Sequence, residues 1–275
     1  MTDGVDHSDR RTAIEAAIDD AVESAPGDAL EPARATVGLL DDVWFGQLVG
    51  RTFDAVAADG DTIDSIARPH GPAAAVELLR RYCSIRWALL RGERSVCTVA
   101  EPGGSAAILS GDLLFAAAYA TVGSDGSPVG DRRRSRLVVV LTRATTDIVE
   151  TVGRNAGRLA AADPDDEVHE TLVASVAGTL GECATRLGVL SAPVENPPID
   201  TIETIGREAS ASRQYRRGRA DAGPAPIPIR PSADSKTELS ASSDGRAAHH
   251  RTTALRAIES LPAHVDQDPL RSLVD

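Results

Sequence analysis

The 275-residue sequence predicts an all-α protein, a helical bundle assembled around the run Ala106 to Val122. Three observations carry this. The run, AAILSGDLLFAAAYATV, places apolar side chains all round a helix rather than on one stripe, so it is expected to lie buried at the centre. Asp112 is its only charge and must be paired or hydrogen-bonded there. Elsewhere, apolar residues recur at three- and four-residue intervals, the period of helices with one buried face. Finally, a single segment, Val138 to Thr142, has strand propensity, and no second strand candidate exists to pair with it. A lone strand is not viable, so that segment is read as helix too.

Residues 1–10 read as polar and loose. Thr12 to Ser24 sets Ile14, Ala17, Ile18, Ala21 and Val22 at helical spacing, ended by Pro26-Gly27. A second helix is expected from Glu31-Pro32 to Asp59-Gly60, with a break near Gly46 or Gly50. Within it, Asp41 and Asp42 are read as a solvated face. After the break at Pro69-His70-Gly71-Pro72, Ala73 to Leu90 puts Val76, Leu79, Cys83 and Trp87 on one stripe. The central run follows, then a helix from Arg136 into the alanines near 160. Asp166 to Leu190 aligns Leu172, Val176, Leu180, Cys183, Ala184 and Leu187. Pro193 to Pro198 makes a turn, and Ile199 to about Arg219 a further helix. Residues 222–248, rich in Pro, Ser, Ala and Gly, read as a flexible loop. That divides the chain into a bundle over 1–221, the loop, and a C-terminal helical hairpin over 249–275 that packs on the bundle, split at Pro262.

Acids outnumber bases, 41 to 29, giving a net charge of −12, and Lys236 is the only lysine. Such an acidic, lysine-poor surface suits a cytoplasm of high salt and argues against nucleic-acid binding. No apolar run reaches membrane-spanning length and no leader precedes the first helix, so the expected location is cytoplasmic. Cys83, Cys97 and Cys183 lack any pairing or metal spacing and read as buried small hydrophobes. None of the six histidines has metal-ligand spacing, and His249-His250 reads as solvated. No phosphate-cradling glycine loop and no nucleophile elbow is present.

The segment ILSGDLLFAAA resembles the "LAGD(Y/F)LL" helix of the trans-isoprenyl diphosphate synthases. ELLRRYCSIRWALLRGERSV, from Glu77-Leu78-Leu79 to Arg91-Gly92-Glu93-Arg94-Ser95-Val96, is similar to the stretch those enzymes write as ELIHxxxLIHDDxxD followed by RRGxPTV. Val176 to Leu180 and Arg186 to Ala192 resemble their KTGAL and RLGALxAG segments. Ile205 to Asp221 resembles FGRxLGxAFQxxDDxxD, and the C-terminal ALRAIESLPAHVDQDPLRSLVD resembles their closing helices. The resemblance covers roughly 73–273 and implies an isoprenoid-synthase-like orthogonal bundle, dimerisation, and a cavity for a prenyl chain.

In that family two facing DDxxD motifs hold Mg²⁺ ions that bridge to an allylic diphosphate. Here Trp87-Ala88-Leu89-Leu90 stands where the first motif should begin, and the second keeps only Asp221. The lysine of the KT motif is replaced by Val176, the first Arg of RRG by Leu90, and no GKxxRP segment occurs. Metal-dependent chain elongation is therefore expected to be lost, with no metal site and no cofactor.

Arginines gather at the same two places: 80, 81, 86, 91 and 94, then 207, 213, 216, 217 and 219. One expectation is a charge-inverted site in which Arg80, Arg81, Arg91, Arg94, Arg213, Arg216 and Arg217 grip a diphosphate directly, with Asp112, Gln214 and Asp221 lining the cavity. The other is that these arginines pair with acids of neighbouring helices. The leading functional expectation is a catalytically degenerate synthase relative. It would be a homodimer, or a heterodimer with an active paralogue, and would bind a prenyl diphosphate or regulate its partner. The alternatives are an active prenyltransferase with an altered diphosphate site, which alone would need Mg²⁺, and an unrelated all-α interaction protein.

Overall fold

The stripe Val76, Leu79, Cys83 and Trp87 is buried throughout, on the helix around which the others pack. The computed structural model describes residues 3–23, 42–57, 68–90, 104–124, 131–159, 166–217 and 238–274. These form α1 (Asp3–Glu23), α2 (Trp44–Val56), α3 (His70–Leu90), α4 (Gly104–Ser124), α5 (Asp131–Leu159), α6 (Asp166–Ser191), α7 (Ile199–Arg217), α8 (Glu238–Glu259) and α9 (Asp268–Val274), with no strand among the described residues. The fold class is the expected one, and Val138 to Thr142 lies inside α5. Tertiary packing of an amphipathic face overrides β-branched propensity there.

α3 packs against α1, α2, α4, α5 and α6. Every residue from 71 to 80 is buried, and Pro72 sits in the first turn, where its missing N–H costs no hydrogen bond. α2 is buried along nearly its whole length between α3 and α6, and it runs unbroken through Gly46 and Gly50. It begins at Trp44, after the non-helical Asp42 and Val43, and the rest of the segment expected from Glu31 lies outside the described residues. α6 lies along α7 with backbones in close approach: a Cβ on Gly181 or Gly206 would overlap the other's carbonyl oxygen. Leu172, Val176, Leu180, Cys183, Ala184 and Leu187 all enter the core as their spacing predicts. Full burial of each leucine contributes roughly 1.5–3 kcal/mol.

The run Ala106 to Val122 is helical, but its burial is one-sided. Leu114, Ala118 and Val122 are buried, whereas Leu109 is 56% exposed and Ile108 45%. α4 packs mainly against α3, with α1 and α5 beside it, and leaves one apolar face exposed among the described residues. The apolar-all-round pattern thus reports an uncovered face as well as a packed one.

Three further expectations change. Within the stretch expected to be loose, α1 starts at Asp3, and buried Arg10 donates to Asp54 at 2.6 Å. The loop expected over 222–248 is helical from Glu238, with Ser243 and Ala247 buried; residues 222–237 lie outside the described residues. Small side chains permit this close docking, because Ser212 donates to the Ala247 carbonyl at 2.9 Å. His250 is not simply solvated, since Nδ1 lies 2.7 Å from Glu208 and the ring stacks on Tyr215. The turn after Pro193 is present, with Asn196 at φ 53°, a conformation asparagine tolerates. α9 follows the Pro262 turn and docks on α2, with the Asp266 N–H donating to the Ala55 carbonyl at 2.9 Å. No helix among the described residues is long and apolar enough to cross a membrane.

Candidate functional site

The first half of α3 carries a sealed charge cluster. Glu77 is fully buried, its Oε1 accepting the Gly46 N–H at 2.9 Å and its Oε2 the Arg80 Nε–H at 2.7 Å. Arg80 Nη2 donates to the Asp42 backbone carbonyl at 2.7 Å, and Nη1 lies 3.7 Å from its carboxylate. The same carboxylate accepts Arg213 Nη2 at 2.6 Å, from α7. Arg213 lies over the Trp44 ring, 4.2 Å from its centroid. Two guanidinium groups therefore meet two carboxyl groups, and with both ionised these four side chains sum to zero formal charge. Buried ions persist only when paired and hydrogen-bonded in this way. Burial pushes the Glu77 carboxyl above its ordinary value, opposed first by the Arg80 charge and then by the Gly46 N–H.

Of the residues expected to hold a diphosphate, this cluster brings Arg80 and Arg213 together, through Asp42. Asp42 is not part of a solvated helix face; it precedes α2 and ties α3 to α7. Arg81 and Arg216 are half-buried and Gln214 is buried, each with polar or charged interactions of its own. Asp112 is not among the lining residues of the apolar cavity at the end of α3 or of the smaller hollow between α5 and α6. It is 58% exposed and bonds to Arg86 across the gap between α4 and α3. Arg91, Arg94 and Asp221 fall outside the described residues, as does the Arg217 side chain.

The second half of α3 faces an open apolar cavity of about 540 Å³. Tyr82, Cys83, Arg86, Trp87, Leu89 and Leu90 form one wall, Ile108 of α4 and Val176 of α6 two others. Ile148, Val149, Val152, Gly153 and Ala156 of α5 complete it. Its size falls in the usual range for small-molecule sites. Arg86 is the one charged lining residue among the described residues, its guanidinium 5.3 Å from the Tyr82 ring centroid. Cys83 contributes a thiol that burial pushes up to about 12, so this wall carries no thiolate at neutral pH. Cys183 is likewise buried and raised to about 12, and both are free; Cys97 lies outside the described residues. A smaller hollow of about 230 Å³ between α5 and α6 is lined by charges of both signs, Arg143, Asp147, Glu182 and Arg186. Glu182 pairs with Arg207, and Arg186 with Glu203 at 2.6 Å.

None of the residues lining this cavity is among the expected site residues. Trp87 and Cys83 also belong to the core stripe, since one helix face serves both packing and cavity wall. Among the described residues no three His, Cys, Asp or Glu side chains come together to hold a metal ion, and Asp221, the acid that the resemblance retains, lies outside them.

No protein-family model matches the sequence, and no curated protein does. Solved structures do match. Geranylgeranyl pyrophosphate synthetase from Geoglobus acetivorans superposes with a TM-score of 0.73 at 15% identity, over 98% of this chain and 95% of that one. A deletion mutant of the heterotetrameric geranyl pyrophosphate synthase of mint gives 0.66 at 14% identity, over 96% and 97%. The geranyl diphosphate synthase small subunit of Antirrhinum majus gives 0.63 at 17%, over 96% and 98%. The chain has the all-helical fold of the isoprenyl diphosphate synthases.

Proposed function

We propose that this chain is a non-catalytic relative of the isoprenyl diphosphate synthases that holds a prenyl chain in the cavity at the end of α3. One observation carries the reading. At the turn where the resemblance places the first metal-binding carboxylates, Trp87, Leu89 and Leu90 instead wall an apolar cavity of about 540 Å³. A hydrocarbon chain gains free energy by leaving water for such a wall, whereas a metal–diphosphate complex finds no carboxylate among the described lining residues. The direct test incubates the purified chain with labelled isopentenyl and allylic diphosphates, with Mg²⁺ at high salt. No elongated product is expected; any product would restore the reading of an active prenyltransferase.

A second reading, compatible with the first, is that the chain works as one subunit of an assembly with an active synthase. Ile108 and Leu109 of α4 and Val139 and Val149 of α5 are large apolar side chains left exposed. Exposed apolar residues on adjacent helices favour burial against a partner. The Antirrhinum majus structure of the same fold is a synthase small subunit. Sedimentation of the chain alone, and mixed with an active prenyl synthase, separates homodimer from heterodimer. If the mixture neither associates nor changes the synthase's product lengths, this second reading fails.

A further inference from the structure

The cavity and the charge cluster divide two jobs that a diphosphate ligand would need done together. Arg80 and Arg213 are committed to Glu77 and Asp42, with the Arg80 side chain only 6% exposed. With both carboxyls ionised these four side chains sum to zero and offer no positive field to a polyanion. The cavity has the apolar walls, and among the described residues its lining contains one cation, Arg86. That guanidinium is held at the rim by the Tyr82 ring and by Asp112. Asp112 is largely in water, and an exposed ion pair of this kind holds weakly, so an arriving anion can displace it. The overall charge of −12 further disfavours a ligand with several negative charges.

Resting on the reading of this cavity as a chain-binding site, we propose that its occupant is an apolar chain bearing one anionic head group. Arg86 receives that head, a monophosphate or a carboxylate, in preference to a diphosphate. Guanidinium recognises both heads by the same paired N–H donors.

The experiment titrates the chain, in EDTA, with four C20 probes that differ only in head group: geranylgeraniol, its monophosphate, its diphosphate and geranylgeranoic acid. Both single-headed acids are expected to bind saturably and about tenfold tighter than the alcohol, the value of one charged hydrogen bond. The diphosphate gains nothing further. Arg86→Gln brings the acids down to the alcohol's affinity and leaves the alcohol unchanged, while Arg86→Lys retains part of the difference. Raising salt weakens the acids and not the alcohol. Whichever acid binds more tightly identifies the head. A diphosphate bound tenfold tighter than the monophosphate overturns the proposal, as does an Arg86→Gln protein that binds the acids as before, and in both cases the chain-binding reading survives. If none of the four binds, or if Ala156→Trp, folded by circular dichroism, leaves binding untouched, the cavity reading itself falls and takes the proposal with it.

Discussion

α3 carries two environments within one length of helix. Around Glu77 and Arg80 every ion finds its counter-ion inside the protein, and water is shut out. Within the next turn and onward, from Tyr82 to Leu90, the same helix meets an open apolar hollow with one cation among its described lining residues. In sequence both stretches read as part of an arginine-rich helix. In the fold the first is finished and the second is left wanting a ligand. A count of guanidinium groups does not locate an anion site; the acids within reach of each one do.

The largest effect expected from breaking this contrast is at Glu77. Glu77→Ala leaves Arg80 buried without its carboxylate, and removal of one partner from a buried pair costs about 3–5 kcal/mol. Denaturant unfolding measures it; a loss under 1 kcal/mol would mean that Asp42 alone can hold Arg80. The same residue gives a pH signature. Burial keeps the native carboxyl above its ordinary 4.5, so the folded chain retains a proton that the unfolded chain has already released. Stability therefore falls as pH rises from 4.5 through the raised native value. Glu203, raised by burial as well, adds a slope of the same sign. The check is thus the difference between wild type and Glu77→Gln, whose slope should be shallower.

How far the sequence could show this differs between the two regions. The helices were legible because apolar spacing is a local property; the stripes of α3 and α6 could be read residue by residue. The Glu77–Arg80 bond was legible too, since residues three apart on a helix face each other. Asp42 was not, because its partners come from α3 and α7, 38 and 171 positions further along the chain. The face of α4 was misread for a related reason: composition cannot distinguish apolar side chains that meet the core from those that meet a partner. Helical structure from Glu238 was hidden by its serines and Gly245, which are weak helix formers until a neighbour such as Ser212 fixes the segment.

A smaller change should convert the closed region into an open one. Asp42→Ala removes the carboxylate shared by Arg80 and Arg213, at a cost of about 1–3 kcal/mol for the donors left unsatisfied. It also uncovers two guanidinium groups that already converge. Calorimetry with inorganic diphosphate in EDTA should then show saturable binding to the variant and none to wild type. Equal binding by both would mean that the cluster was never closed to anions, and the contrast between the two halves of α3 would disappear.

The finest test touches only the rim. Asp112→Asn weakens the hold on Arg86, and because that pair is exposed the change in stability should stay within about 1 kcal/mol. Its effect on ligands should be out of proportion to its effect on folding. With no carboxylate competing for the guanidinium, a single-headed anionic amphiphile is expected to bind roughly two- to fivefold tighter, the worth of an exposed ion pair. The uncharged alcohol should be indifferent. If alcohol and acid tighten together, Asp112 acts by shaping the cavity mouth. If neither changes, Arg86 does not need freeing, and its charge is directed away from the hollow it borders.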